Sequence, residues 1–284
     1  MRFLTKMAMA GTLLLSTSVD AQNINFEIGA ATTSGNTAIG SVITEGLNKR
    51  GYKVEFKALG NCALARKQFE DANTPMLTLW QSSYNSQRSP ACNLDIKSEN
   101  IVAMIYETAT SFCATGSKTF DDYMRKGSNH TVGVMAQHVP HNTLFKMIEQ
   151  KQGNNHNILT YKNSAELTAA GKSKESEFVL MSHEAAEQAG FRCLFTLSDD
   201  KSIPRARDLW PENPINSATQ FVWLMQKNMT PAQIAKLAKD IDDIYKEKEW
   251  QDINKAKGYT RGFSFNIPDV MYKIKKDREI SIYE

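Results

Sequence analysis

The sequence predicts an α/β chain folded as two lobes, each a sheet flanked by helices. Three observations predict it. Short apolar or alternating runs that read as strands alternate with runs of helical period along nearly the whole chain. Two such cycles follow one another in about 260 residues, enough for two modest domains. Small polar residues gather at the ends of three predicted strands (Thr32 to Thr37, Ser82-Ser83 and Ser182-His183), and the turn from Ala136 to Thr143 adds a fourth. Alternation of this kind implies parallel sheets with helices on both faces. Open sheets bind ligands beyond the carboxyl ends of their strands, so four such turns drawn from two lobes imply a cleft.

Asn25 to Ile28 alternates and reads as the first strand. Ala38 to Arg50 places Ile39, Val42, Ile43, Gly46 and Leu47 on one helical face, and Gly51 ends it. Lys53 to Phe56 is a second strand, and a helix from Asn61 or Cys62 runs through Phe69. Met76 to Trp80 is a buried strand, followed by a polar loop from Tyr84 to Asn100. Ile101 to Tyr106 and Ser111 to Ala114 are further strands. The second cycle begins with Thr119 capping a helix from Phe120 to Arg125. Thr131 to Met135, Ile158 to Tyr161, Phe178 to Met181 and Cys193 to Leu197 read as strands. Helices are expected at Thr143 to Gln150, from Ser164, and at Glu184 to Ala189 with Gly190 closing it. A proline-rich loop, Pro204 to Pro214, leads to a strand at Phe221 to Met225. Thr230 and Pro231 then open a helix lined by Ile234, Leu237, Ile241 and Ile244. A helix around Trp250 and Ile253, ended by Gly258, and another from Pro268 to Lys276 complete the chain.

Arg2 and Lys6, the apolar run Met7 to Leu15, and the small residues that end in Ala21 have the layout of a secretory signal peptide over residues 1–21. The apolar run is too short to span a bilayer. The expected mature chain begins at Gln22. The formal charge of the whole chain is +3, and loss of Arg2, Lys6 and Asp20 leaves about +2. Acids and bases are interspersed without a basic block, which argues against nucleic acid as a partner. An exported chain with four cysteines meets an oxidising compartment. Four cysteines allow three connectivities, of which Cys62–Cys92 is favoured because both fall near turns after early strands.

The stretch Gly29 to Gly40 is a strand-to-helix turn crowded with Thr32, Thr33, Ser34, Asn36 and Thr37. Such a turn leaves backbone N–H groups unpaired at the positive end of a helix dipole, a place for a carboxylate. Plain capping of the helix by Ser34, Asn36 or Thr37 is the competing reading.

These features together resemble the periplasmic solute receptors of tripartite tricarboxylate transporters, also called Bug proteins. Thr33-Ser34-Gly35-Asn36-Thr37 sits where that family has Pro-Gly-Gly-x-Thr-Asp; Gly35 and Thr37 match, and Ala38 replaces the Asp. Leu77 to Ser83 resembles the family's apolar strand ending in Thr-Ser-Ser, and Thr119-Phe-Asp-Asp-Tyr a family helix start. Ala189 to Leu194 resembles its Ala-Gly-x-x-Arg-Ala-Leu stretch, and Met229-Thr230-Pro231 its entry to the C-terminal helix. The resemblance implies a two-lobed type II periplasmic binding fold with a hinge and an interlobe cleft. It implies lobes of residues 22–106 with 220–284, and of 107–219. It further implies a monomeric periplasmic receptor, with no cofactor, that binds a small carboxylate and hands it to membrane subunits of the transporter.

On that reading Ser34, Gly35, Asn36 and Thr37, with Thr33, hold one carboxylate. Ala136, Gln137, His138 and Thr143 hold the other end, Ser82, Ser83 and Ser182 add hydroxyls, and Trp80 forms an apolar wall. Ala38 in place of the loop Asp, and Ser182 where the family often has Asp, argue against an amino-acid ligand. The same fold also serves ABC-type importers and sensors, and fold alone does not choose between them. An enzyme is a weaker fit. His138-Val-Pro-His141 is a turn rather than a helix face, no carboxylate cluster accompanies it, and no G-x-S-x-G elbow or P-loop occurs.

Overall fold

The computed structural model describes residues 23–281 apart from 31, 33, 86–89, 109, 136–148, 150–152, 163, 198–202, 210, 212–219, 258, 260 and 261. The expected signal peptide, the turn from Ala136 to Thr143 and most of the helix expected after it lie outside these residues.

The first sheet is built from β1 (Asn23–Ile28), β2 (Lys53–Ala58), β3 (Met76–Gln81), β4 (Ile101–Thr108) and β10 (Gln220–Lys227), in the order β2-β1-β3-β10-β4. The second holds β5 (Thr110–Ala114), β6 (Thr131–Met135), β7 (Asn157–Tyr161), β8 (Phe178–Ser182) and β9 (Arg192–Thr196), in the order β7-β6-β8-β5-β9. Helices α1 (Gly35–Lys49) and α2 (Cys62–Asp71) belong to the first cycle. The second carries α3 (Phe120–Met124), α4 (Ser164–Lys172), α5 (His183–Gln188) and α6 (Ala206–Leu209). The chain ends with α7 (Pro231–Tyr245), α8 (Lys248–Lys257) and α9 (Ile267–Ser281).

The sheets are mixed, which corrects the expectation of parallel ones. β1 pairs in parallel with β2 and β3, and β6 with β7 and β8, as strands joined by helical crossovers must. β10 runs antiparallel to both β3 and β4, and β5 antiparallel to β8 and β9. The reason is the route of the chain. It leaves the first sheet after β4, enters the second at β5, and returns at β10, so a strand arriving from the other sheet enters from the opposite end.

Period-two alternation sorts each strand between two cores. Leu77 and Leu79 of β3 face α1, α7 and α8, where Ile39, Ile43, Leu237, Ile241 and Trp250 are buried. Met76 and Trp80 face the other side, with Phe69, Val270 and Ile274. Helix ends follow local chemistry. Thr119 with Asp122, and Thr230 with Gln233, form reciprocal capping boxes, and Pro231 stands in the first turn of α7. The helix expected from Ala38 starts at Gly35, because Ser34 caps it.

Two disulfides are present: Cys62–Cys92, and Cys113–Cys193 between the adjacent strands β5 and β9. Among the described residues no helix is long and apolar enough to cross a membrane.

Candidate ligand-binding site

The carboxyl end of β1 leads through Gly29 and Ala30 into the turn before α1. Ser34 adopts an extended backbone, φ −77° and ψ 159°, and its Oγ accepts the Thr37 N–H at 3.2 Å. The Ser34 and Thr37 hydroxyls are 3.1 Å apart. These bonds are an N-cap, the simpler reading of the turn. Among the described residues no hydrogen bond reaches the N–H of Gly35 or Asn36. A helix leaves its first amides in this state for a side chain, water or an anion.

Asn36 is 6% exposed, and protein groups engage both arms of its carboxamide. Its Nδ2 donates to Gln81 Oε1 at 2.7 Å, and its Oδ1 accepts the hydroxyl of Tyr106. Tyr106 lies at the end of β4 and Gln81 at the end of β3. Tyr259, beyond α8, stacks on Tyr106 with ring centroids 3.8 Å apart and planes 5° from parallel. Burial pushes the Tyr106 phenol well above its ordinary pKa and raises that of Tyr259, so both hydroxyls keep their protons near neutral pH. A Cβ placed on Gly35 would stand 2.0 Å from the Tyr259 hydroxyl. Any larger residue at position 35 would therefore push the Tyr259 ring aside.

The remaining candidates sort by place. Ser82 is buried beside Gln81, and its Oγ accepts the Phe221 N–H at 3.4 Å, tying β3 to β10. Ser182 closes β8 in the second sheet and caps α5 through the Ala185 N–H. It is level with Thr110, the first residue of β5. Gln81, Thr108 and Gln220 stand at one edge of the first sheet, the edge from which the chain leaves for β5 and to which it returns. Ser34, Asn36, Ser82 and Ser182 thus gather around the crossings between the sheets. Trp80 does not. It has no exposed surface and packs among Phe69, Trp223 and Ile274 on the far face of the sheet, edge-on to Tyr84. Alternation along β3 turns it away from α1, so it is core and not a wall for a ligand. Thr33, Ala136, Gln137, His138 and Thr143 lie outside the described residues, as does the side chain of Ser83.

Sequence reasoning missed Gln81, Tyr106 and Tyr259. Gln81 could have been found, since a polar residue at the carboxyl end of a buried strand is a standing candidate. Nothing local marks the two tyrosines. It also missed a Ser-His-Glu line in the second sheet, with Ser111 and His183 buried and Glu187 exposed. Ser111 Oγ is 3.1 Å from His183 Nδ1, and His183 Nε2 is 3.2 Å from Glu187. This has the residue types of a nucleophilic triad, but Ser111 has no exposed surface for a substrate to reach. Its bond to His183 ties α5 to β5. Helix α5 also touches α8, where Gln188 Nε2 donates to the Lys255 carbonyl at 3.1 Å.

No family model matches the sequence, and no curated protein matches it. Solved structures do resemble its fold. A TctC solute binding protein from Polaromonas superposes with a TM-score of 0.67 at 11% identity, over 94% of this chain and 99% of that one. Rpa4515 of R. palustris, solved with adipate, gives 0.67 at 10% identity, over 92% and 97%. MatC from Rhodopseudomonas palustris, with bound malate, gives 0.62 at 11% identity, over 93% and 99%. At such identities the likeness is one of fold. The chain has the two-lobed α/β fold of the periplasmic solute-binding proteins.

Proposed function

We propose that the chain is an exported receptor that captures a small organic anion by its carboxylate between two lobes and delivers it to the membrane subunits of a tripartite tricarboxylate-type transporter. The observation that carries the reading is the pair of amides at the start of α1, open among the described residues and placed beside Gln81 and Ser82 where the chain crosses between sheets. A carboxylate there gains charge-assisted hydrogen bonds and the favourable end of the helix dipole. Two structures of the same fold hold dicarboxylates, adipate and malate, which supports a ligand with an acid at each end. The second acid falls to the turn 136–143 and to Ser182. Residues 1–21 act as the signal peptide. Residues 22–106 with 220–284 form one lobe and 107–219 the other, hinged at the crossings after β4 and before β10. The receptor works as a periplasmic monomer, without a cofactor, and releases its ligand unchanged.

A thermal-shift screen of residues 22–284 tests the reading. The panel holds adipate, malate, citrate, acetate, aspartate, sulfate and glucose. A ligand at a hundred times its Kd stabilises the folded state by about 2.7 kcal/mol. A carboxylate that shifts the transition supports the proposal. Stabilisation by sulfate or glucose alone, or recovery of a chemically altered ligand, contradicts it.

A further inference from the structure

One side chain ties the first turn of α1 to two strands of the sheet beneath it. Asn36 is the second residue of α1 and is buried. Its Nδ2 donates to Gln81 Oε1 at 2.7 Å, at the end of β3, and its Oδ1 accepts the Tyr106 hydroxyl, near the end of β4. In the sheet those strands are separated by β10, so the carboxamide bridges the width of three strands. The turn has reason to be tied. Gly35, its first helical residue, is of the type with the freest backbone, and the Ser34 cap closes only a local ring. Tyr106 is itself held from outside. β4 is an edge strand, and the chain beyond α8 runs along it. Met104 and Ser264 exchange backbone hydrogen bonds of 2.9 and 3.1 Å, Tyr259 stacks on Tyr106, and Lys273 Nζ donates to Glu107 Oε2 at 2.7 Å.

We infer that the side chain of Asn36 is a positioning group for the bound carboxylate: shared between Gln81 and Tyr106, it fixes where the open amides of Gly35 and Asn36 point, and it is not itself the ligand's contact. This rests on the carboxylate-receptor reading above and divides the role that the sequence gives to Asn36. Its backbone N–H serves the ligand, and its carboxamide serves the protein. With a bond on each arm and 6% exposure, little of that carboxamide is left for a ligand to touch. Hydrogen bonds weaken steeply when they are misaligned, so a small tilt of the first turn costs affinity without unfolding anything. The first turn of α1 carries no acid, so nothing within it offsets the positive end of the helix dipole.

The test is titration calorimetry with adipate, malate and citrate, from pH 8 to pH 5, on wild type, Asn36→Ala, Asn36→Asp, Tyr106→Phe and the double variant Asn36→Ala/Tyr106→Phe. Asn36→Ala should weaken binding about tenfold and Tyr106→Phe about threefold. The double variant should bind at most about twofold more weakly than Asn36→Ala, because both changes release the same tie. A purely structural residue would lower the melting temperature and leave these constants alone. Asn36→Asp adds a readout in pH. An ionised carboxylate at position 36 accepts from Tyr106 but has no hydrogen for Gln81, and it sets a negative charge beside the ligand; once protonated it accepts and donates as the amide does. Both tyrosines keep their protons throughout this range. Relative to wild type at the same pH, Asn36→Asp should bind about 100-fold more weakly at pH 8, and burial of the new carboxyl should let that deficit shrink by about fivefold at pH 5. If Asn36→Ala fails to fold, Tyr106→Phe and the pH profile of Asn36→Asp decide. Wild-type affinity in Tyr106→Phe beside a tenfold loss in Asn36→Ala would make Asn36 a direct contact and overturn the inference, as would a deficit in Asn36→Asp that does not change with pH. A wild type that binds none of the three acids overturns the receptor reading itself, a result distinct from a wild type that binds them and ignores residues 36 and 106.

Discussion

Tyr259 lies flat on Tyr106, and its hydroxyl occupies the place where residue 35 would carry a Cβ. A residue of the C-terminal segment and one at the end of β4 thereby shape the first turn of α1 from below. Gly35→Ala should force one of the rings to move and destabilise the protein by about 1–3 kcal/mol. Tyr259→Ala removes the obstruction, so the double variant should cost less than the two single changes together. Denaturant midpoints of the three variants measure the difference.

The Tyr106 hydroxyl is the partner of Asn36 Oδ1 in a buried setting. Tyr106→Phe keeps the ring stack and leaves that oxygen short of a bond. The expected cost is about 1–3 kcal/mol, read from equilibrium unfolding, with little change in far-UV circular dichroism. A cost near zero would mean that water replaces the hydroxyl at no loss.

His156 should make the protein acid-sensitive. Burial first, and then the nearby His130, lower its pKa from the ordinary 6.5 to about 4. Its Nδ1 accepts the His130 N–H, and its ring stacks on Tyr123. His130 in turn contacts Glu177 and Lys118. Between pH 6.5 and 4 the unfolded chain binds a proton that the folded chain refuses, so stability is full above 6.5 and falls as pH drops toward 4. Burial raises the Glu177 pKa, but bonds from Lys118, His130 and the Thr131 amide outweigh it and leave the net value lowered, which extends the loss to lower pH. Melting temperatures across this window should fall for wild type, and fall less steeply for His156→Phe.

The two disulfides should differ in worth. They close loops with sequence separations of 30 and 80 residues. On loop-closure entropy these stabilise by about 3.6 and about 4.5 kcal/mol. The Cys113→Ser/Cys193→Ser pair should therefore lower stability more than Cys62→Ser/Cys92→Ser, as chemical denaturation can measure. The opposite order would mean that the β5–β9 ladder holds the loop without its cross-link.

What could be read from the sequence was local. The hydrophobic period places α1, Thr230 and Pro231 announce α7, and the polar ends of β3 and β8 are visible as Ser82 and Ser182. Strand order was out of reach, because alternation of strands and helices predicts parallel crossovers and says nothing about a strand such as β10 that returns from another sheet. Trp80 was misplaced for a similar reason: a run of apolar residues buried on both faces does not say which face meets the ligand. Asn36 was singled out, but its partners lie 45 and 70 positions away. Contacts at such separations leave no mark in a window of neighbouring residues.

Equilibrium titration of adipate and malate into residues 22–284, followed by mass spectrometry of the recovered ligand, tests the receptor reading most directly. Saturable one-to-one binding of a carboxylate that is returned unchanged is the expected result. Absence of binding by every carboxylate in the panel, or conversion of the bound one into another compound, would contradict it.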